Sequence, residues 1–322
     1  MKNVLVVLVI VVIVAVFIGI GLNRKGSVPA SQAKRIAVIP KGTSSVYWES
    51  VHTGALKAGA ELGYDISWIG PELETDRERQ IQIINDFIAQ KVAGVVLAPN
   101  DAKALVPIVE KMYDMNIPCV IVDSGIDTDK YVSFAATDNY QGGAIAAGRL
   151  GEILGAKGKI IVVKFLPNSA STDARVKGFK ETIAKDFPDI EIVDDQYGGG
   201  TVESALAATE DMLTKNIVLD GLFACNASTS TAAAQALKSQ KRAGKVKMVG
   251  FDAEPTLIDN LKDGTIDALV VQDPVKMGYI GVKTIVARLN GEEVPKQIDT
   301  GVKLIKKVDL EDEEVKALLS LQ

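Results

Sequence analysis

Residues 35–64 read RIAVIPKGTSSVYWESVHTGALKAGAELGY. A short apolar run, 35–39, meets a polar turn and then a segment of helical period, 47–62. Outward from this unit the same alternation persists almost to the end of the chain. Apolar, β-branched runs recur at 64–69, 94–98, 119–122, 159–164, 190–194, 221–224, 247–250 and 268–271. Between them lie helical-period segments at 75–91, 102–116, 139–154, 172–186, 202–215, 228–240 and 274–289. The runs are nearly continuous rather than alternating in and out, as strands covered by helices on both faces require. Strand alternating with helix predicts an α/β fold built on parallel sheet with crossover helices. At roughly 150 residues per domain, 322 residues predict two domains. No long Pro or Gly-Ser spacer separates two halves, so short crossings must join them; linker-like composition is confined to residues 23–32.

The balance of 47% hydrophobic and 24% charged residues is that of a globular chain and excludes a disordered or collagen-like one. A mean hydropathy of +0.17 is high for a soluble protein, and residues 4–22, without a charge or polar side chain, account for it. About twenty apolar residues span a bilayer, whereas signal-peptide cores run to roughly 7–15. Length therefore favours a membrane anchor. The basic start at Lys2 and the small-residue exits Val28-x-Ala30 and Ser31-x-Ala33 favour a cleaved signal, and Arg24 and Lys25 weigh against easy cleavage. Both readings stay open, and either delivers the rest of the chain across a membrane. A buried N-terminal helix is the weaker reading, since the run has no cap and no polar face. No lipidation box is present, because neither Cys119 nor Cys225 is near the N-terminus.

A net charge of -5 without a Lys or Arg block speaks against nucleic acid as a partner. Cys119 and Cys225 lie in apolar, strand-like runs far apart and read as reduced core thiols. The single histidine, His52, falls in the first helix and reads as a surface residue; no Cys or His cluster has metal-ligand spacing.

Catalytic signatures are missing. No G-x-G-x-x-G follows a strand, the phosphate-loop and G-x-S-x-G patterns are absent, and a triad has only His52 to call on. This favours a binder over an enzyme. In open α/β sheets ligands lie beyond the carboxyl ends of the strands. Those ends carry Tyr47 and Trp48, Asp123, Asn226, Asp252, and Gln272 with Asp273. Carboxylates accept from adjacent hydroxyls, amides donate and accept, and an aromatic face covers the apolar face of a sugar ring. Singly each has a plainer reading as a helix cap, core residue or sheet-edge amide; together they suit a neutral polyhydroxylated ligand.

The segments IPCVIVDSG, FAATDNYQGGAIAAG, the R-x-x-G-F of Arg175 to Phe179, LFACNAS, MVGFDAEP and VVQDPVKMGYIGV, with the opening unit, resemble the type I periplasmic binding proteins. These are the ribose- and galactose-binding receptors of ABC importers, and the resemblance covers residues 34–307. LacI-type repressors share the fold but begin with a helix-turn-helix, where this chain has its apolar run. The resemblance implies two Rossmann-like lobes joined by a three-strand hinge. Lobe I would comprise residues 34–137 and 273–301, lobe II 138–272 and 302–322, with 1–33 as signal peptide or anchor plus linker. It implies capture of a sugar or related polyol by hinge closure, delivery to a membrane permease, no chemistry, no cofactor, and a monomer at the periplasmic or cell-surface side. A ligand-sensing role toward a chemoreceptor or histidine kinase is the alternative, since the lobe surfaces serve both.

Carried over by resemblance, the ligand residues are the aromatic pair Tyr47 and Trp48, Asp123, Asn226, Asp252 and Gln272. The chain departs elsewhere. Ser124 stands where an arginine commonly follows the first aspartate, Ser45 precedes the aromatic pair, and Ala98 replaces an asparagine. Gly198, Gly199 and Gly200 replace a second-lobe aromatic. Asp173 takes the place of a second ligand arginine, with Arg175 aligning to its neighbour. Carboxylates facing fewer guanidiniums than usual point away from ribose itself, toward a ligand rich in hydroxyl donors or bearing an amine, and away from sugar acids and phosphates.

Overall fold

The computed structural model describes residues 35–215 and 218–320. The apolar run 4–22, with its expected cleavage sites, lies outside these residues, and among the described residues no helix is long and apolar enough to cross a membrane.

The opening unit folds as β1 (Arg35–Ile39) followed by α1 (Val46–Leu62). In the same sheet lie β2 (Asp65–Trp68), β3 (Gly94–Leu97), β4 (Cys119–Val122), β5 (Ser133–Ala136) and β11 (Gln297–Asp299), in the order β11-β5-β4-β3-β1-β2 and all parallel. The second sheet holds β6 (Lys157–Lys164), β7 (Asp189–Tyr197), β8 (Gly221–Ala224), β9 (Lys247–Phe251), β10 (Ala268–Val271) and β12 (Lys303–Ile305). Its order is β12-β10-β9-β8-β6-β7, parallel except for the edge strand β12, which runs antiparallel to β10. The two orders are the same doubly wound pattern, in which the strand order reverses beside the first strand and opens a crevice at the carboxyl ends. The chain passes between the sheets three times: from β5 to β6, after β10, and between β11 and β12.

Helices cover both faces of each sheet, which is why the central strands are buried throughout; Ile36, Val38, Val96 and Val120 pack on one face of the first sheet, Ala37, Ile39, Val95 and Ile121 on the other. The second sheet repeats this, with Ile160, Val162 and Phe223 opposed to Ile161, Val163 and Leu222. The strands missed by pattern are β5, β11 and β12, of three or four residues each. None of them is a continuous β-branched apolar run: β5 reads SFAA, and β11 and β12 read QID and KLI, so pairing with a neighbour makes each a strand. The helix α8 (Pro255–Asp263) was foreshadowed only by its start, Pro255 at its first turn.

Each lobe is closed by one intimate helix crossing. In the first, α1 crosses α9 (Pro274–Leu289): a Cβ at Gly54 would lie 1.9 Å from the Val275 carbonyl oxygen, and one at Gly278 2.0 Å from that of Val51. In the second, α4 (Asn139–Ile153) crosses α5 (Ala170–Asp186), where a Cβ at Gly143 would lie 1.9 Å from the Arg175 carbonyl oxygen and one at Gly178 2.0 Å from that of Tyr140. Only the absence of side chains lets the backbones approach this closely. Cys119 and Cys225 are free and buried, as expected. His52 is half-exposed and stacks on Trp68 with ring centroids 4.5 Å apart.

Candidate functional site

A cavity of about 380 Å³ lies between the carboxyl ends of the two sheets, within the roughly 300–1,000 Å³ usual for small-molecule sites. Its first wall comes from the β1–α1 connection. Tyr47 and Trp48 sit in the first turn of α1 as an edge-to-face pair, centroids 5.0 Å apart. The Tyr47 hydroxyl donates to Asp123 Oδ1 at 2.8 Å, and Trp48 Nε1 donates to Glu74 Oε1 at 2.8 Å.

Asp123 and Asp252 occupy matching places, directly after β4 and β9, and both adopt positive φ, 61° and 70°. Aspartate tolerates this left-handed conformation better than most residues, and such strain gathers at sites where surrounding contacts enforce it. Asp252 accepts from Gln272 Nε2 at 2.7 Å and from the Ala227 amide at 2.8 Å. It is thus a cavity carboxylate held by both neighbouring strand ends, not a cap of α8. Burial raises its pKa; Arg175 and these two hydrogen bonds oppose the rise. Asn226 combines both of its readings: its side chain caps α7 (Ala227–Ser239) in a capping box with Thr229, and it lines the cavity.

Of the residues expected from the sequence, Ser45, Tyr47, Trp48, Asp123, Arg175, Asn226, Asp252 and Gln272 line the cavity. Asp173 is not among them. It is exposed on the first turn of α5, while Arg175 is buried in the cavity wall. Two residues along a helix are about 200° apart, so a helix that points Arg175 inward turns Asp173 to solvent. The place expected of Asp173 falls to Arg175, whose guanidinium lies 3.8 Å from the Phe251 ring centroid and donates to Asn139 Oδ1 and the Cys225 carbonyl at 2.8 and 3.0 Å. Ser124 also stays out of the wall: its hydroxyl donates to Ser171 Oγ at 3.1 Å and accepts from the Ser171 amide at 3.0 Å, joining the two sheets' loops.

Sequence reasoning missed several members. Lys41, 3% exposed, lies with Nζ 2.8 Å from Asp123 Oδ2 and replaces the arginine that Ser124 lacks. A lysine two residues beyond the end of the first strand was the available signal. Phe165, at the end of β6, restores a second-lobe aromatic; its strand-end position was legible. At Gly200 a Cβ would lie 2.7 Å from Thr75 Cγ2 of the other lobe, so that position leaves no room for a side chain. Glu74, beside Thr75, had no local signal at all. Burial raises its pKa, against the pull of Lys41 and the Trp48 hydrogen bond. Glu254 is pushed up to about 7 by burial and then by the charge of Asp252, and the Tyr47 hydroxyl is raised well above its usual value by burial and both aspartates. The cavity is thus lined by five carboxylates, Glu74, Asp123, Glu203, Asp252 and Glu254, against two cations, Lys41 and Arg175.

Residues 36–293 match the periplasmic binding protein domain. The chain is 29% identical to a D-ribose/D-allose-binding protein of Pseudomonas aeruginosa, over 84% of this chain and 88% of that one. It is 27% identical to the D-allose-binding periplasmic protein of Escherichia coli, over 84% and 89%. Among solved structures, a carbohydrate transporter solute-binding protein from Agrobacterium radiobacter in complex with D-arabinose superposes with a TM-score of 0.86 at 36% identity, covering 88% of this chain and 98% of that one. An ABC transporter solute-binding protein from Agrobacterium vitis with bound D-fucose gives 0.85 at 36% identity, with the same coverage. With the domain matched over most of its length and the fold shared with these receptors, this chain belongs to the periplasmic binding protein family.

Proposed function

We propose that the protein is an extracytoplasmic solute receptor that encloses a neutral sugar or polyol, or one bearing an amine, between its lobes and hands it to an ABC importer. The observation that carries this reading is the cavity wall: buried carboxylates and amides from the strand ends of both sheets, faced by Tyr47, Trp48 and Phe165. Acceptors at this density require hydroxyl or ammonium donors, because a buried carboxylate without a partner is costly. The ionised members of five carboxyl groups, set against two cations, repel sugar acids and sugar phosphates, and Glu254, raised to about 7, can also donate. The relatives' printed ligands, ribose, allose, arabinose and fucose, are neutral monosaccharides.

In this reading residues 34–137 and 273–301 move as lobe I and 138–272 and 302–322 as lobe II, about the three crossings. Ser45, Tyr47, Trp48 and Asp123 contact the ligand from lobe I; Arg175, Asn226, Asp252 and Gln272 contact it from lobe II and the crossing beside it. Ligand contacts made to both lobes favour the closed state, a population shift by differential affinity. An affinity near micromolar, about -8 kcal/mol, suits scavenging with release. The protein acts as a monomer, performs no reaction on its ligand and presents the closed lobe surfaces to a permease. The N-terminal run exports it, as a cleaved signal or as an anchor.

Titration calorimetry against pentoses, hexoses, inositols, amino sugars and sugar acids tests this. We expect binding among the neutral and amine-bearing compounds; tight binding confined to the acids sinks the proposal.

A further inference from the structure

One buried cation belongs to both lobes at once. Lys41 leaves β1 in the first lobe, and its Nζ lies 2.8 Å from Asp123 Oδ2. The same ammonium donates across the cleft to Ser171 Oγ at 3.0 Å, with Ser169 Oγ at 3.5 Å; both serines sit at the start of α5 in the second lobe. Ser171 is further tied to the first lobe by its two hydrogen bonds with Ser124. All five of these side chains are at most 3% exposed. An ammonium has three protons to place, and burying one undirected is costly. The first lobe supplies Asp123, and the further acceptors are those of the second lobe. Opening the cleft removes them; closing it restores them.

We propose that Lys41 is the positioning residue that couples occupation of the Asp123 side of the site to lobe closure, with Ser171 as its partner across the cleft. This rests on the solute-receptor reading above. Asp123 faces the cavity and receives the Tyr47 hydroxyl, so a ligand hydroxyl on Asp123 joins a network that is complete only in the closed arrangement. Lysine suits this task better than arginine would. A point charge on a flexible stem can divide its protons between a carboxylate on one side and hydroxyls on the other, whereas a planar guanidinium commits its fork to one plane.

The test is a cycle across the cleft on the full chain in detergent, with Lys41→Met, Ser171→Ala and the double variant. D-arabinose, D-ribose, D-allose and D-fucose serve as probes, read by calorimetry for Kd and stopped-flow Trp fluorescence for dissociation. Hydrogen bonds to a charged group correspond to about 10- to 100-fold each. We expect Lys41→Met to weaken binding by about 100-fold and Ser171→Ala by about 10-fold, both mainly through faster dissociation, and the double variant to be no weaker than Lys41→Met. Multiplying effects in the double variant would show that Lys41 only neutralises Asp123 within its own lobe, and would overturn the inference. Should Lys41→Met fail to fold, Ser171→Ala decides alone, since it leaves the Lys41–Asp123 pair intact: unchanged affinity and dissociation overturn the coupling. If the unaltered protein binds none of the four sugars, the probe becomes whichever neutral or amine-bearing compound binds in the calorimetric panel; binding of none of these is failure of the receptor reading, distinct from failure of the coupling.

Discussion

Replacing Gly143 by alanine adds one methyl group at the place where α4 rests on α5. That Cβ would lie 1.9 Å from the Arg175 carbonyl oxygen, 2.7 Å from its carbonyl carbon and 2.9 Å from the Phe179 nitrogen. An ordinary contact is about 3.5 Å, so α5 must withdraw by about 1.5 Å. All three obstacles are backbone, so no side chain can swing aside. The hydrogen bonds of Arg175 to Asn139 and Cys225, now 2.8 and 3.0 Å, would then exceed the roughly 3.2 Å at which such bonds hold. Overpacking costs roughly 1–3 kcal/mol, and each charged hydrogen bond lost adds up to about 1.5–3 kcal/mol. Alanine's better helix propensity returns about 1 kcal/mol. With both bonds broken, a net loss of about 3–8 kcal/mol corresponds to a fall in Tm of roughly 6–32 °C. Because Arg175 lines the cavity, Kd should also rise about 10-fold or more, or about 1.4 kcal/mol. Calorimetric melting and ligand titration measure both. Gly148→Ala is the control on the same helix, since a Cβ there meets nothing within 4 Å; it should leave Kd unchanged and Tm equal or higher. A Gly143→Ala protein that melts and binds like the unaltered one, or a Gly148→Ala protein equally damaged, would refute this account of the crossing.

Glu254, raised from 4.5 to about 7 by burial and by Asp252, holds its proton in the folded state after the unfolded chain has released it. It therefore contributes stability below about pH 4.5 that is lost as pH rises to about 7. The Tm of the unaltered protein minus that of Glu254→Gln should fall across this window; a constant difference contradicts the sign. The thiols of Cys119 and Cys225, both buried and pushed up to about 12, should not react with Ellman's reagent at pH 8 in the folded protein. Both should react in guanidinium chloride, and a fast-reacting thiol in the native state counts against the core placement.

The central strands were legible because a strand sandwiched between helix layers must be apolar on both faces, and a run such as 119–122, CVIV, shows that without knowledge of its neighbours. The edge strands β11 and β12 were not, since QID and KLI carry no pattern apart from the strands they join. Within the site, Asp123, Asn226, Asp252 and Gln272 could be picked out together, because polar residues at the carboxyl ends of several strands converge on one crevice. Asp173 and Arg175 show the limit: periodicity identified their helix, but not which of its sides would meet the cavity.

The sequence by itself determined the α/β class, the two-domain size and the strand-end chemistry. These depend on local composition and spacing, which one chain displays in full. Only the tertiary structure decided how the buried charges are compensated. Lys41 meets Asp123 82 residues later and Ser171 130 residues later, Trp48 meets Glu74 from the next loop, and Gly200 gives way to Thr75 of the other lobe. The Lys41–Asp123 and Trp48–Glu74 pairings arise where loops of the first sheet converge, and Lys41–Ser171 and Gly200–Thr75 where the two sheets' loops meet; no periodicity within either sheet records them.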